Sequence, residues 1–200
     1  MSGGGSVLAS VGLFCGSSDG VDPARVAAAA ALGREIASEG VRLVYGGGST
    51  GLMGACAKAV IAAGGAVLGV IPEFLCLPEV AYKAAQLVVV TSMHERKATM
   101  FREADGFVVL PGGIGTLEEV IELLSWARLD LHAKPVVFLN AGGFWDPLFA
   151  LIGHTVREGF TPGEFERTYR AVDEVGEVLP ALRDMAALAV DRPAMPLILT

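Results

Sequence analysis

The sequence predicts an α/β protein built on a parallel, doubly wound sheet of about six to seven strands flanked by helices, and three observations predict it. Short apolar, β-branched runs recur along the 200 residues, each is followed by a glycine-rich turn, and each turn leads into a longer segment with helical spacing. Strand and helix alternating in this way imply right-handed crossovers and a parallel sheet. The strands are also continuously apolar rather than alternating, as strands covered on both faces should be.

Taken in order, the first strand reads at Val7 to Phe14, and Pro23 to Glu39 supplies the first helix. Arg42 to Tyr45 follows as a strand and Gly51 to Ala63 as its helix. The third strand, Ala66 to Ile71, leads into a Pro-flanked loop from Pro72 to Val80, after which come a strand at Leu87 to Thr91 and a helix at Met93 to Glu103. Gly106 to Leu110 is the clearest strand, with its helix at Thr116 to Leu131; Pro135 to Asn140 pairs with a helix at Pro147 to Glu158. A weaker seventh strand lies near Tyr169 to Val172, before a helix at Val175 to Asp184. Residues 1–6 read as a flexible Ser/Gly tail, 7–184 as one domain, and 185–200, with Pro193 and Pro196, as an apolar C-terminal tail.

Composition narrows the function classes. A chain of this length buries roughly 70% of its unfolded surface and needs no disulfide or metal staple. Lys and Arg total 15 against 22 Asp and Glu, a formal charge of −7, which argues against nucleic-acid or membrane-surface partners because both demand clustered positive charge. Cys15, Cys56 and Cys76 form no CxxC pair and have no His at ligand spacing, so neither a disulfide framework nor a metal site is readable and a reduced cytoplasm fits. The apolar run from Ala59 to Pro72 is broken by Gly64 and Gly65 and is too short for a bilayer, which takes about 20 residues.

In doubly wound sheets, ligands bind beyond the carboxyl ends of the strands, so the loops there carry the functional argument. The first, Gly46 to Gly54, has the backbone of a phosphate cradle at a helix start, with Gly47 among its close-approach positions; a tight strand-to-helix turn is the plain alternative. It has neither the GK[ST] ending of a P-loop nor the spacing of a dinucleotide fingerprint. The second, Pro111, Gly112, Gly113, Ile114, Gly115, Thr116, Leu117, Glu118 and Glu119, pairs a phosphate-sized turn with two carboxylates within one helical turn. Thr116 and Glu119 equally have the spacing of a capping box, in which Glu119 returns to the backbone of Thr116, and Glu118 suits any helix N-terminus.

The third segment, Ser92 to Lys97, opens another helix. Ser92 and Glu95 form a capping box there, and His94 reads as a packed or cap-neighbouring histidine. Arg96 and Lys97 oppose the dipole of that helix, a small cost that a bound anion would offset, and so read as a phosphate or carboxylate clamp; a solvated helix face is the alternative. Cys15, Gly16, Ser17 and Ser18 either add donors to the same cleft or form a plain turn, and Trp126, Phe138, Phe144 and Trp145 read as core or interface aromatics.

These stretches together, CGSS at Cys15 to Ser18, GGGSTGLMG at Gly46 to Gly54, MHERK at Met93 to Lys97, PGGIGTLEE at Pro111 to Glu119 and the turn from Gly143 to Pro147, resemble a known family. It was first described as lysine decarboxylases and is now associated with cytokinin riboside 5′-monophosphate phosphoribohydrolases, the "lonely guy" enzymes. The resemblance implies a Rossmann-like homodimer that binds a nucleoside 5′-monophosphate and hydrolyses its N-glycosidic bond to an adenine-type base and ribose 5-phosphate, with no cofactor. It implies catalytic roles for Arg96 and Glu119, and substrate contacts from Arg96, Lys97, the loop from Gly112 to Glu119, and by position Glu79. Lysine decarboxylation is rejected, because of Lys58, Lys83, Lys97 and Lys134 only Lys97 sits in a candidate site for a Schiff base. Two rivals stand on the same scaffold: a non-catalytic carrier of a nucleotide or molybdopterin-type cofactor, and hydrolysis of AMP itself.

Overall fold

The computed structural model describes residues 8–77 and 81–189, so the expected N-terminal tail, Glu79 and everything beyond Ala189 lie outside the described residues. The strands are β1 (Ser10–Phe14), β2 (Arg42–Tyr45), β3 (Val67–Pro72), β4 (Gln86–Val90), β5 (Gly106–Val109), β6 (Val136–Leu139) and β7 (Arg170–Val172). The helices are α1 (Pro23–Ser38), α2 (Gly51–Ala62), α3 (Met93–Glu103), α4 (Ile114–Arg128), α5 (Asp146–Arg157) and α6 (Val178–Ala189). Every strand pair is parallel and the order is β4-β3-β2-β1-β5-β6-β7. This is the Rossmann-like, doubly wound sheet expected. The order reverses between β1 and β5, which places the ligand crevice at the ends of those two strands.

Each face of the sheet has its own apolar layer. Val11, Leu13, Leu43 and Tyr45 pack under α1, α2 and α6, while Phe14, Val44, Val70 and Phe107 pack under α3 and α4. Alternate residues of one strand thus go to opposite layers, and both layers are apolar, which is why the strands read as unbroken hydrophobic runs. Gly12 lets β1 and β5 sit close, since a Cβ there would lie 2.5 Å from the Phe107 ring. Asp105 pins the start of β1 by accepting from the Ala9 and Ser10 N–H groups and the Ser10 hydroxyl, at 3.0, 2.8 and 2.9 Å.

Helix ends follow local chemistry. Asp22 caps α1 by accepting from the Ala24 N–H at 2.9 Å, with Pro23 in the first turn. Gly40 closes it at φ +67° and donates to the Ala37 carbonyl. Most boundaries differ from expectation by a residue or so, β1 starts at Ser10 rather than Val7, and two helices differ in ways that bear on the site or the core. The α4 helix begins at Ile114 rather than Thr116, with Gly113 at its N-cap. The last helix begins at Val178 and continues through Met185 to Ala189, because Leu179, Ala181 and Leu182 bury against the sheet and carry the amphipathic pattern onward.

Candidate active site

Three loops converge at the carboxyl edge of the sheet, and backbone bonds tie them together. The Gly16 N–H donates to the Pro111 carbonyl at 2.9 Å, and the Gly16 carbonyl accepts from the Leu52 and Met53 N–H groups at 3.1 and 3.4 Å. The opening donors of α2 are therefore spent on the turn after β1. A Cβ on Gly51, whose φ is +63°, would sit 2.2 Å from the Ser17 carbonyl carbon, so α2 abuts that turn through bare backbone. Of the two readings of the first glycine loop, the tight strand-to-helix turn describes the Gly51 end. Gly47 is buried and its carbonyl accepts from the Tyr82 N–H at 2.9 Å.

The N-terminus of α4 is different. Gly113, Ile114 and Gly115 are exposed, and a Cβ on Gly113 or Gly115 would meet nothing within 4 Å. The N–H groups of Ile114, Gly115 and Thr116 have no acceptor within the helix, and among the described residues none donates to another protein group. Three donors aimed along a helix dipole into open space make an anion seat. The Thr116 side chain is buried beside Gly112, where a Cβ would come within 2.1 Å of its hydroxyl. On the α1 side of Pro111 a cavity of about 170 Å³ opens between Arg25, Ala28, Leu139 and Gly142.

One helical turn further, Glu119 meets Arg96. The Arg96 Nη1 donates to the Glu119 Oε1 at 3.1 Å and its Nε donates to the Val70 carbonyl at 3.2 Å; both side chains are about nine-tenths buried. Gly46 makes room for the guanidinium, since a Cβ there would lie 1.8 Å from Nη2. The capping box offered for Glu119 does not form: Thr116 lies inside the helix, and the carboxylate is turned across to α3. Burial pushes the Glu119 carboxyl up from 4.5 to about 7, with Glu118 and Glu122 adding to the rise and Arg96 and Lys97 pulling against it. Desolvation outweighs the attraction of the Arg96 guanidinium.

Lys97, expected beside Arg96 as part of an anion clamp, is held by α4. Its ammonium donates to Glu118 and, at 2.8 Å, to Glu122, a residue the sequence reading passed over. Burial alone would lower its pKa, but those two carboxylates raise it overall. The Ser92 hydroxyl caps α3 by accepting from the Glu95 N–H at 3.1 Å. Glu95 does not complete the box; its carboxylate accepts from the Thr91 N–H and hydroxyl instead, at 2.7 and 2.8 Å, and those bonds lower its pKa. His94 is exposed rather than packed. Trp145 and Phe138 are core residues, in edge contact with ring centroids 5.3 Å apart.

Comparison with known proteins adds three findings. Residues 53–182 match the family described as "Possible lysine decarboxylase". A probable cytokinin riboside 5′-monophosphate phosphoribohydrolase of Oryza sativa subsp. japonica is 46% identical over 86% of this chain and 76% of its own length, and a cytokinin riboside 5′-monophosphate phosphoribohydrolase of Arabidopsis thaliana is 48% identical over 74% and 69%. Among solved structures, the molybdenum cofactor binding protein from the phototrophic bacterium Rippkaea orientalis superposes with a TM-score of 0.69 at 20% identity, over 90% of this chain and 98% of that one, a likeness of fold.

Proposed function

The chain belongs to the family described as possible lysine decarboxylases, whose matched relatives are named cytokinin riboside 5′-monophosphate phosphoribohydrolases, and from that membership we propose that it hydrolyses the N-glycosidic bond of a nucleoside 5′-monophosphate. The products are a free adenine-type base and ribose 5-phosphate. One observation carries the reading: a buried Arg96–Glu119 pair stands one helical turn from three unspent backbone donors. The phosphate sits on the α4 N-terminus, and fixing it there turns binding energy into alignment of the anomeric carbon with Glu119.

Breaking the ribosyl C–N bond builds positive charge on the sugar and negative charge on the departing base. The ionised Glu119 stabilises the first and accepts a proton from the water that attacks the anomeric carbon; the electron pair of the broken bond leaves with the base nitrogen, which then takes up that proton. A carboxyl whose pKa is raised to about 7 suits both halves of this cycle near neutral pH. A guanidinium is a poor proton donor, so Arg96 acts by charge, holding Glu119 and offsetting the negative charge of the leaving group.

Decarboxylation through a Schiff base does not fit the lysines. Lys97 is committed to two carboxylates, Lys134 donates to the Phe101 and Ala104 carbonyls, Lys58 on α2 lies over the Tyr82 ring, and Lys83 is exposed before β4. No described helix is long and apolar enough to cross a membrane. We place the enzyme in the cytoplasm as a homodimer, with Gly112 to Glu119 and Arg96 as substrate contacts, and with Glu79, outside the described residues, as a further contact on the ground of the resemblance alone. Purified protein incubated with AMP and with isopentenyladenosine 5′-monophosphate should release free base from at least one of them. Retention of intact nucleotide after long incubation would favour a carrier instead.

A further inference from the structure

We propose that Lys97 is a positioning residue that governs the charge on Glu119 by holding Glu118 and Glu122 in place, and that it is not a phosphate ligand. The inference deepens the reading above and rests on it. Glu118 and Glu122 are four residues apart on α4, so their carboxylates share a face of the helix and repel one another. Lys97 reaches across from α3 and its ammonium spans both, at 2.8 Å to Glu122. The Lys97 side chain is 12% exposed, against 53% for that of Glu118 and 29% for that of Glu122, so the cation is the covered member and the acids reach outward. Two of the three ammonium donors are thereby occupied by α4, and a phosphate would have to compete with carboxylates already in contact.

Glu119 lies between those two acids in sequence, and the charges around it come from two elements. Arg96 and Lys97 face it from α3, and Glu118 and Glu122 from α4. Cys15, at the end of β1, faces it as a neutral thiol, because burial holds its pKa well above the ordinary value. The uncharged neighbours are Gly46 and the Val70 carbonyl, which seat Arg96. Arg96 pairs with Glu119 directly, whereas Lys97 offsets part of the field of its two neighbours. Without Lys97, two unbalanced carboxylates would drive Glu119 further toward its protonated form, in which it cannot accept a proton from water. The α3–α4 contact thus sets two cations against three acids, one for the reacting acid and one shared by the pair flanking it.

The test is the titration of Glu119 itself, followed by carboxyl ¹³C NMR, with the resonance identified by its absence from Glu119→Gln. Lys97→Met should raise the midpoint by about one unit, and Glu122→Gln should lower it by a similar amount, the size one charge about 10 to 12 Å away produces at an effective dielectric near 20. Lys97→Arg should restore a near-wild-type midpoint. The acidic limb of kcat/KM for AMP or isopentenyladenosine 5′-monophosphate should move with each titration. A Lys97→Met enzyme with an unmoved Glu119 midpoint and a raised KM at every pH would make Lys97 a phosphate ligand and overturn the proposal. So would an unmoved or raised midpoint in Glu122→Gln, a change on a partly exposed side chain that decides the matter even if Lys97→Met fails to fold. Should the wild-type protein cleave no nucleotide, the functional reading fails on its own, while the titrations still decide the role of Lys97.

Discussion

Glu119 is the residue on which the chemistry turns, and its environment makes three quantitative expectations. Glu119→Gln keeps an oxygen that can accept from Arg96, so the fold should survive while base release falls by at least about 100-fold, the usual effect of losing one electrostatic group at a reacting centre. Activity measured beside circular dichroism checks both halves. Stability should carry the same signature: the Glu119 pKa is raised on folding, so its contribution is fully present below 4.5 and is lost as pH climbs through about 7, an amount on the order of 3 kcal/mol. Urea melts of wild type and Glu119→Gln at pH 5 and pH 8 should show that slope in the first protein and lack it in the second. Gly46→Ala tests the seat of Arg96. The intruding Cβ meets only the end of a flexible side chain, so the protein should fold, yet the guanidinium must leave its place and turnover should fall at least about tenfold.

At the scale of elements, the helix start at α4 is the part most open to a clean experiment. Pro is tolerated at the first helical position, and Gly113 before it is extended at φ −96° and ψ −156°, so Ile114→Pro removes one N–H from the anion seat without breaking the helix. Its melting temperature should stay close to wild type while KM for the nucleotide rises about 10- to 100-fold, the worth of one charge-assisted hydrogen bond; unchanged KM would move the phosphate elsewhere. How much of this was legible in the sequence varies by element. Strand positions were, because runs such as the one from Gly106 to Leu110 are apolar on both faces. The start of α4 was not, since Thr116 and Glu119 have capping-box spacing whether or not the helix begins there, and only the partner on α3 decides which way Glu119 turns. Nor could spacing reveal that Gly46 houses a guanidinium, or that the α2 donors are spent on Gly16; both depend on contacts between segments far apart in sequence. Glu122 stood one turn beyond Glu118 and could have been found from that interval alone.

For the whole molecule, the strand order places the reversal between β1 and β5, and the turns after both strands are bonded to each other through Gly16 and Pro111. The sheet thus gathers α3, α4 and the glycine turns at one edge, where a single nucleotide reaches them all. Val89 on the outer strand, Met93 at the start of α3 and Ile121 on α4 are apolar and exposed, consistent with the proposed homodimer; sedimentation should give twice the 20.7 kDa of one chain. The larger hollow, about 250 Å³ beside His132, Lys134 and Leu188, opens near Pro135 at the start of β6, on the other edge of the sheet from the glycine loops. The most direct trial of the account is to incubate the protein with a nucleoside 5′-monophosphate and quantify the products by chromatography. Free base and ribose 5-phosphate in equal amounts, absent with Glu119→Gln, are the predicted result; a nucleoside with inorganic phosphate, or the nucleotide recovered intact, would contradict it.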